Sequence, residues 1–264
     1  MNTALNGSPA GHVAIVTGGS RGVGRAAIHR LAAGGCAVVV NYLHDQRAAE
    51  STVEAVLADN GNAVAVRADI ADDLDVKRLF AETIAAFGGI DVVVHAAGSR
   101  ITASPVTEVD LAEFDALVRI NTRATFVVNQ EAARRLRNGG AIINLSSSAE
   151  GSSLRTHGLY AATRAATDVL TRALAVELHE RNIAVNAVSL EVGRPCAPDR
   201  VADVIAYLLS EHGHRLTGQV LQVGDPGLRL WVPGRGTGDQ GSGQDASALT
   251  SMCHWLDKAG GTRL

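Results

Sequence analysis

At 264 residues the chain is long enough to bury one substantial core. A formal charge of −3 and a sequence pI near 6.3 leave no basic footprint for nucleic acid or anionic lipid. No basic-then-apolar stretch opens the chain, and no window nears the roughly eighteen uninterrupted apolar residues of a membrane-spanning helix, so a small-molecule substrate is the expected partner, without nucleic acid or membrane.

The first apolar run, residues 13–17, reads as a strand that feeds directly into Thr17-Gly-Gly-Ser-Arg-Gly-Val-Gly24. A helical period over 23–33 follows at once. Gly18, Gly22 and Gly24 allow a tight turn and close backbone approach, with Ser20, Arg21 and Val23 between them. The helix N-terminus then offers free N–H groups and a positive dipole end to a pyrophosphate. A glycine trio alone is weak, but at a strand-to-helix junction it predicts a dinucleotide site. The second strand, 37–41, ends in Val40-Asn41-Tyr42, without the acid that bonds a ribose 2′-hydroxyl in NAD sites. Arg21 and Asn41, with His44 or Arg47 nearby, suit a 2′-phosphate instead, so the expected cofactor is NADP(H).

The alternation continues to residue 224. Helical periods at 46–59, 73–87, 111–136, 159–180 and 198–210 separate strand-like runs at 63–67, 91–95, 141–145, 183–188 and 219–223. These runs are continuously apolar, as strands covered on both faces are. The prediction is a single-domain α/β Rossmann fold with a doubly wound, parallel seven-stranded sheet. Residues 1–224 form the dinucleotide-binding and catalytic domain in this reading, and 225–264 a Gly-rich C-terminal extension. The extension has linker composition over 233–243, an apolar patch at 249–256, and both tryptophans, Trp231 and Trp255. It reads either as partly disordered or as a docking tail.

The Gly-x-x-x-Gly-x-Gly spacing resembles the short-chain dehydrogenase/reductase family, and further segments extend the resemblance over about residues 11–224. Ala68-Asp69-Ile70 stands where that family places an Asp beside the adenine, and His95-Ala96-Ala97-Gly98 is similar to its Asn-Asn-Ala-Gly segment. Ser147, in Asn144-Leu-Ser-Ser-Ser148, precedes Tyr160 by thirteen residues. The resemblance implies that Ser147 polarises a substrate carbonyl and Tyr160 moves the proton, roles that hydride transfer demands because it develops an alkoxide. Asn121, in Arg119-Ile-Asn-Thr-Arg123, matches the asparagine of the family's proton relay. Tyr160 and position 164 would also contact the cofactor. Homodimers or homotetramers are implied in the same way.

Two departures stand out. Arg164 occupies the family's lysine position, four residues after Tyr160 on the same helix face. Arginine keeps the charge but does not give up a proton. Lysine is scarce throughout, with 22 arginines to two lysines. After Asn186-Ala-Val-Ser189, Leu190-Glu191 replaces the family's Pro-Gly, and Gly193-Arg-Pro195 begins the next familiar block within a few residues. The substrate lid is thus expected to be missing, which would exclude water poorly.

Other chemistries have little support. No Gly-x-Ser-x-Gly elbow is present, and His212-x-His214 and Cys253-His254 lack further ligands in reach, so no metal is expected. Cys36, Cys196 and Cys253 are far apart and odd in number, which fits a reducing cytoplasm. The first reading is an NADPH-dependent ketoreductase acting on a bulky small molecule, such as a natural-product biosynthetic intermediate. The alternatives are a non-redox cyclisation, dehydration or rearrangement with NADP(H) bound, or a catalytically silent binding partner.

Overall fold

A computed structural model describes residues 11–99, 103–148, 154–192, 196–224, 227–230 and Met252. The strands are β1 (Val13–Thr17), β2 (Ala37–Tyr42), β3 (Asn62–Arg67), β4 (Val92–His95), β5 (Ala141–Ser148), β6 (Ala184–Glu191), β7 (Val220–Gly224) and β8 (Gly227–Leu230). The helices are α1 (Gly22–Ala33), α2 (Gln46–Ala58), α3 (Asp73–Phe87), α4 (Leu111–Leu117), α5 (Ala124–Arg135), α6 (Leu154–Glu177) and α7 (Pro198–Leu208). The sheet order is β3-β2-β1-β4-β5-β6-β7-β8. The first seven strands are parallel, as the apolar runs predict.

Side chains alternate across each strand, and this splits the core in two. Ala14, Val16, Val38, Val40, Val92 and Val94 face the layer that includes α1 and α7. Ile15, Val39, Val93, Ile142 and Val185 face the opposite layer, with α3, α5 and α6. Both faces are covered, so apolar residues are needed at every strand position, each buried aliphatic contributing about 1.5–3 kcal/mol. Arg30 of α1 donates to Asp203 of α7 at 2.7 Å and ties two helices of one layer.

The order reverses between β1 and β4, which are neighbours although three strands apart in sequence. At such a switch point the flanking connections leave to opposite faces and open a crevice at the carboxyl ends of the strands. The predicted site residues lie on the strand ends and loops at that end of the sheet, at the start of α1, in the stretch Val118–Arg123 and on α6.

Three local features differ from the sequence reading. The expected helix over 111–136 contains a π-helical stretch, Val118–Arg123, between α4 and α5. Its periodicity differs from an α-helix by a fraction of a residue per turn, too little to register in an apolar pattern. β5 and β6 each run three residues beyond their predicted ends and stay in register through Ser148↔Glu191. Backbone pairing continues there although the serines carry no apolar signal. Finally, Gly227–Leu230, predicted to belong to the extension, forms the antiparallel edge strand β8 and pairs Leu221↔Leu230 through Gly224↔Gly227. Further on, Met252 is buried in the core layer that contains α1 and α7. Trp231, residues 233–243, Trp255 and Cys253-His254 lie outside the described residues.

Candidate active site

The glycine loop is shaped for backbone approach. Gly18 has φ +65°, and a Cβ there would stand 2.9 Å from Ala97 Cα. A Cβ on Gly24 would stand 2.3 Å from the Gly18 carbonyl oxygen. Gly22, at φ +54°, borders open space instead. Asp45, Asp72 and Asp110 cap the N-termini of α2, α3 and α4 with their side chains, whereas Arg21 makes no cap bond at the start of α1. The first-turn N–H groups of α1 are thus left for a ligand anion.

From this loop a cleft of about 520 Å³ runs across the switch point. Gly18, Ser20, Arg21, Val23 and Gly24 line one end, with Asn41 and Ile70 beside them. Ala97 and Gly98 lie in the middle, and Ser147, Tyr160 and Arg164 line the other end. Gly22, Asp69 and Asn121 are not part of this lining. The tight loop, the uncapped helix start and the continuous cleft together fit an extended dinucleotide.

At the ribose end the geometry alters two expectations. Asn41 is only 2% exposed, and its amide donates to the Val66 and Ala68 carbonyls at 3.3 and 3.1 Å. Its donors therefore fasten β2 to β3 and are not available to a 2′-phosphate. His44 lines the cleft and is exposed, whereas Arg47 does not line it. Asp45 also reaches the lining, a residue the sequence reading passed over, and its carboxylate accepts from Ala48 N at 3.0 Å. Asp69 turns to the protein: it accepts from Ala71 N at 2.9 Å and from Arg119 at 3.0 Å. Its neighbours Ala68 and Ile70 carry the lining at that point.

At the catalytic end, α6 carries Tyr160 and Arg164 one turn apart, 5% and 7% exposed. Arg164 Nε donates to Tyr160 Oη at 3.3 Å, and the guanidinium carbon lies 5.4 Å from the tyrosine ring centroid. Arg164 Nη1 reaches the Leu145 carbonyl at 3.4 Å. Ser147, at the end of β5, donates its hydroxyl proton to the Leu190 carbonyl at 2.6 Å. That bond exists because β6 continues past its predicted end and sets Leu190 opposite Ser147. Ser146 donates to the Arg164 carbonyl at 3.4 Å, and Ser148 accepts from Gln222 at 2.9 Å, so both serve local structure.

Asn121 sits in the π-helical stretch with no exposure. Its side chain accepts from Ser99 N at 2.9 Å and donates to Ser99 O at 3.0 Å and to Thr163 at 3.2 Å. Thr163 in turn donates to the Tyr160 carbonyl at 2.8 Å. The asparagine therefore braces the strand-four loop against α6. Behind it, fully buried His95 bridges Thr17 at 2.9 Å and Thr125 at 3.0 Å, and Ala97 N donates to Thr17 at 3.2 Å. Burial, reinforced by the Arg164 charge, pulls the His95 pKa down to about 3, so the ring is neutral. Asp168, one turn beyond Arg164, is also buried, and desolvation raises its pKa against the opposing effects of Ser146, Arg172 and Arg164. The sequence offers no signal for the His95 contacts or for Ser146 beside Asp168, which depend on elements distant along the chain, whereas Arg164 and Arg172 flank Asp168 at helical spacing.

A family model described as short chain dehydrogenase matches residues 12–193. The chain belongs to the short-chain dehydrogenase/reductase family. It is 40% identical over 183 residues to a hydroxynaphthalene reductase-like protein of Metarhizium majus, covering 69% of this chain and 68% of that one. It is 39% identical over 180 residues to versicolorin reductase 1 of Aspergillus parasiticus, covering 68% of each. A solved short-chain dehydrogenase of Burkholderia cenocepacia, in complex with NADP, superimposes with a TM-score of 0.76 at 31% identity, covering 82% of this chain and 98% of that one. As a family member the chain is an oxidoreductase with a Rossmann core, and it has no described helix long and apolar enough to cross a membrane.

Proposed function

We propose that this short-chain dehydrogenase/reductase is an NADPH-dependent ketoreductase acting on a bulky small molecule. The observation that carries the reading is the placement of Tyr160, Arg164 and Ser147 at one end of the same cleft whose other end is the glycine loop. The similarity to reductases and to an NADP complex supports both the reaction class and the cofactor.

Bound NADPH supplies the hydride. Arg21 and His44 border the cleft at the end where a 2′-phosphate would lie, and the uncapped start of α1 would hold the pyrophosphate. Tyr160 gives its phenolic proton to the oxygen that becomes the alcohol. The Arg164 charge, 3.3 Å from that phenol oxygen, stabilises the tyrosinate left behind. Ser147 can hold the reacting oxygen only after its hydroxyl leaves the Leu190 carbonyl. Asn121 acts as a positioning residue, through Ser99 and Thr163.

Only residues 192–197 separate β6 from α7. This short connection supports the reading that the family's substrate lid is missing, and a large substrate suits an open site. Phe126 on α5 and Val169 and Val176 on α6 are 51%, 61% and 79% exposed, which supports a homodimer or homotetramer through these helices.

One observation favours the non-redox alternative: the cation that hydrogen-bonds Tyr160 is an arginine, which does not give up a proton as the family's lysine does. The test is fluorescence titration with NADPH and NADH, followed by NADPH absorbance over a panel of bulky ketones and quinones. Tighter NADPH binding with oxidation on any ketone is expected. Substrate conversion without NADPH oxidation would transfer the assignment to the non-redox chemistry.

A further inference from the structure

Tyr160, Arg164, Asp168 and Arg172 follow one another at four-residue steps and lie along one ridge of α6. The first three are buried, at 5%, 7% and 8% exposure. Asp168 thus sets a carboxyl between two guanidinium groups, one of which donates to Tyr160 Oη at 3.3 Å. Across the sheet, β5 brings the Ser146 hydroxyl within hydrogen-bonding reach of the Asp168 carboxyl and, at 3.4 Å, of the Arg164 carbonyl. Glu191, at the end of the neighbouring β6, is not among the groups that act on Asp168. Burial raises the Asp168 pKa, while Ser146, Arg172 and Arg164 each favour the ionised form.

Asp168 Oδ1 is buried without a hydrogen-bond partner among the described residues. A buried carboxyl left partly unsatisfied lowers stability rather than raising it. What this position supplies is a charge next to the active site. Arginine does not give up its proton, and His95, which also meets the Arg164 charge, is neutral. Asp168 is therefore the titratable neighbour through which the effective charge at Arg164 is set. It does not line the cleft, so it reaches the chemistry only through that arginine.

We infer that Asp168 is a positioning residue of the active site: its carboxylate offsets part of the Arg164 charge and so sets how strongly that cation stabilises the Tyr160 tyrosinate. Beside a cation that never titrates, the carboxylate keeps the phenol from ionising too readily and losing the proton it has to give. This deepens the proposed reductase, and rests on that reading for the proton-donor role of Tyr160 alone.

The test titrates Tyr160 itself in the full chain, by the near-ultraviolet absorbance of tyrosinate, each protein being compared with the same protein carrying Tyr160→Phe. Asp168→Asn, close in size but uncharged, is expected to lower the Tyr160 midpoint by about half a pH unit or more. Asp168→Glu, which keeps the charge, should restore most of the difference. Should Asp168→Asn fail to fold, Ser146→Ala decides in its place: it removes the hydroxyl that favours the ionised carboxyl, and should shift the midpoint the same way. An unmoved or raised midpoint in the deciding variant, or equal shifts in Asp168→Asn and Asp168→Glu, would overturn the inference. No turnover is read, so a failed NADPH oxidation assay would count against the proposed reduction without altering these shifts.

Discussion

The head group of Arg164 lies against the bare backbone of Gly98: a Cβ at that glycine would stand 2.1 Å from Arg164 Nη2. The arginine reaches from α6 to the end of β4 because no side chain occupies that position. Gly98→Ala is therefore expected to displace the guanidinium, costing toward the low end of about 1–3 kcal/mol, since the head can shift but is buried. In an Arg164→Lys background the shorter cation leaves room, and the alanine should cost measurably less. Thermal unfolding of the two single variants and the double variant closes the cycle. Strictly additive effects would show that the contact carries no energy.

His95 makes the fold sensitive to acid. Its pKa falls from 6.5 to about 3 on burial, so between those values the unfolded chain takes up a proton that the folded chain refuses. Stability then falls as pH falls, by about 1.4 kcal/mol for each pH unit below the unfolded value. His95→Asn keeps polar atoms beside Thr17 and Thr125 without the titration. Urea unfolding of both proteins at pH 7 and pH 5 should show the difference between them shrinking or reversing at the lower pH. Parallel pH dependences would mean that another group carries the acid sensitivity.

The Arg30–Asp203 pair joins α1, whose start forms the glycine loop, to α7. Its side chains are 15% and 13% exposed, so water screens it little. Asp203→Asn removes the charged acceptor of this short hydrogen bond and should cost about 1.5–3 kcal/mol. Chemical denaturation measures this directly, with the exposed pair Lys77–Asp73 as a control expected to contribute near zero.

Met252 lies 1% exposed in the α1 and α7 layer, beyond every family motif in the chain. If the extension is an integral part of the fold, Met252→Ala should destabilise by about 2–5 kcal/mol, the range for emptying a core site. A change below half a kcal/mol would mark the contact as dispensable.

Much of this protein was legible in one dimension. A parallel sheet covered on both faces requires apolar residues at every strand position, so residues 13–17 and the six strand-like runs that follow reveal themselves without a partner. The Gly18, Gly22 and Gly24 loop is equally local, because its turn, helix start and missing side chains are encoded in consecutive residues. Tyr160 and Arg164 fall on one helix face by spacing alone. Contacts between segments distant in sequence were decided only by the tertiary structure. The Asn41 donors go to β3, Ser147 meets Leu190 because β6 runs long, and Asp69 faces Arg119 from fifty residues away. The π-helical turn at Asn121 and the antiparallel β8 were hidden for a related reason: backbone hydrogen bonding defines them, and side-chain polarity does not report it. Residue types thus determined which chemistry the chain could carry, while the hydrogen-bond partners of each polar atom, set by packing, decided which of those groups remained free to act.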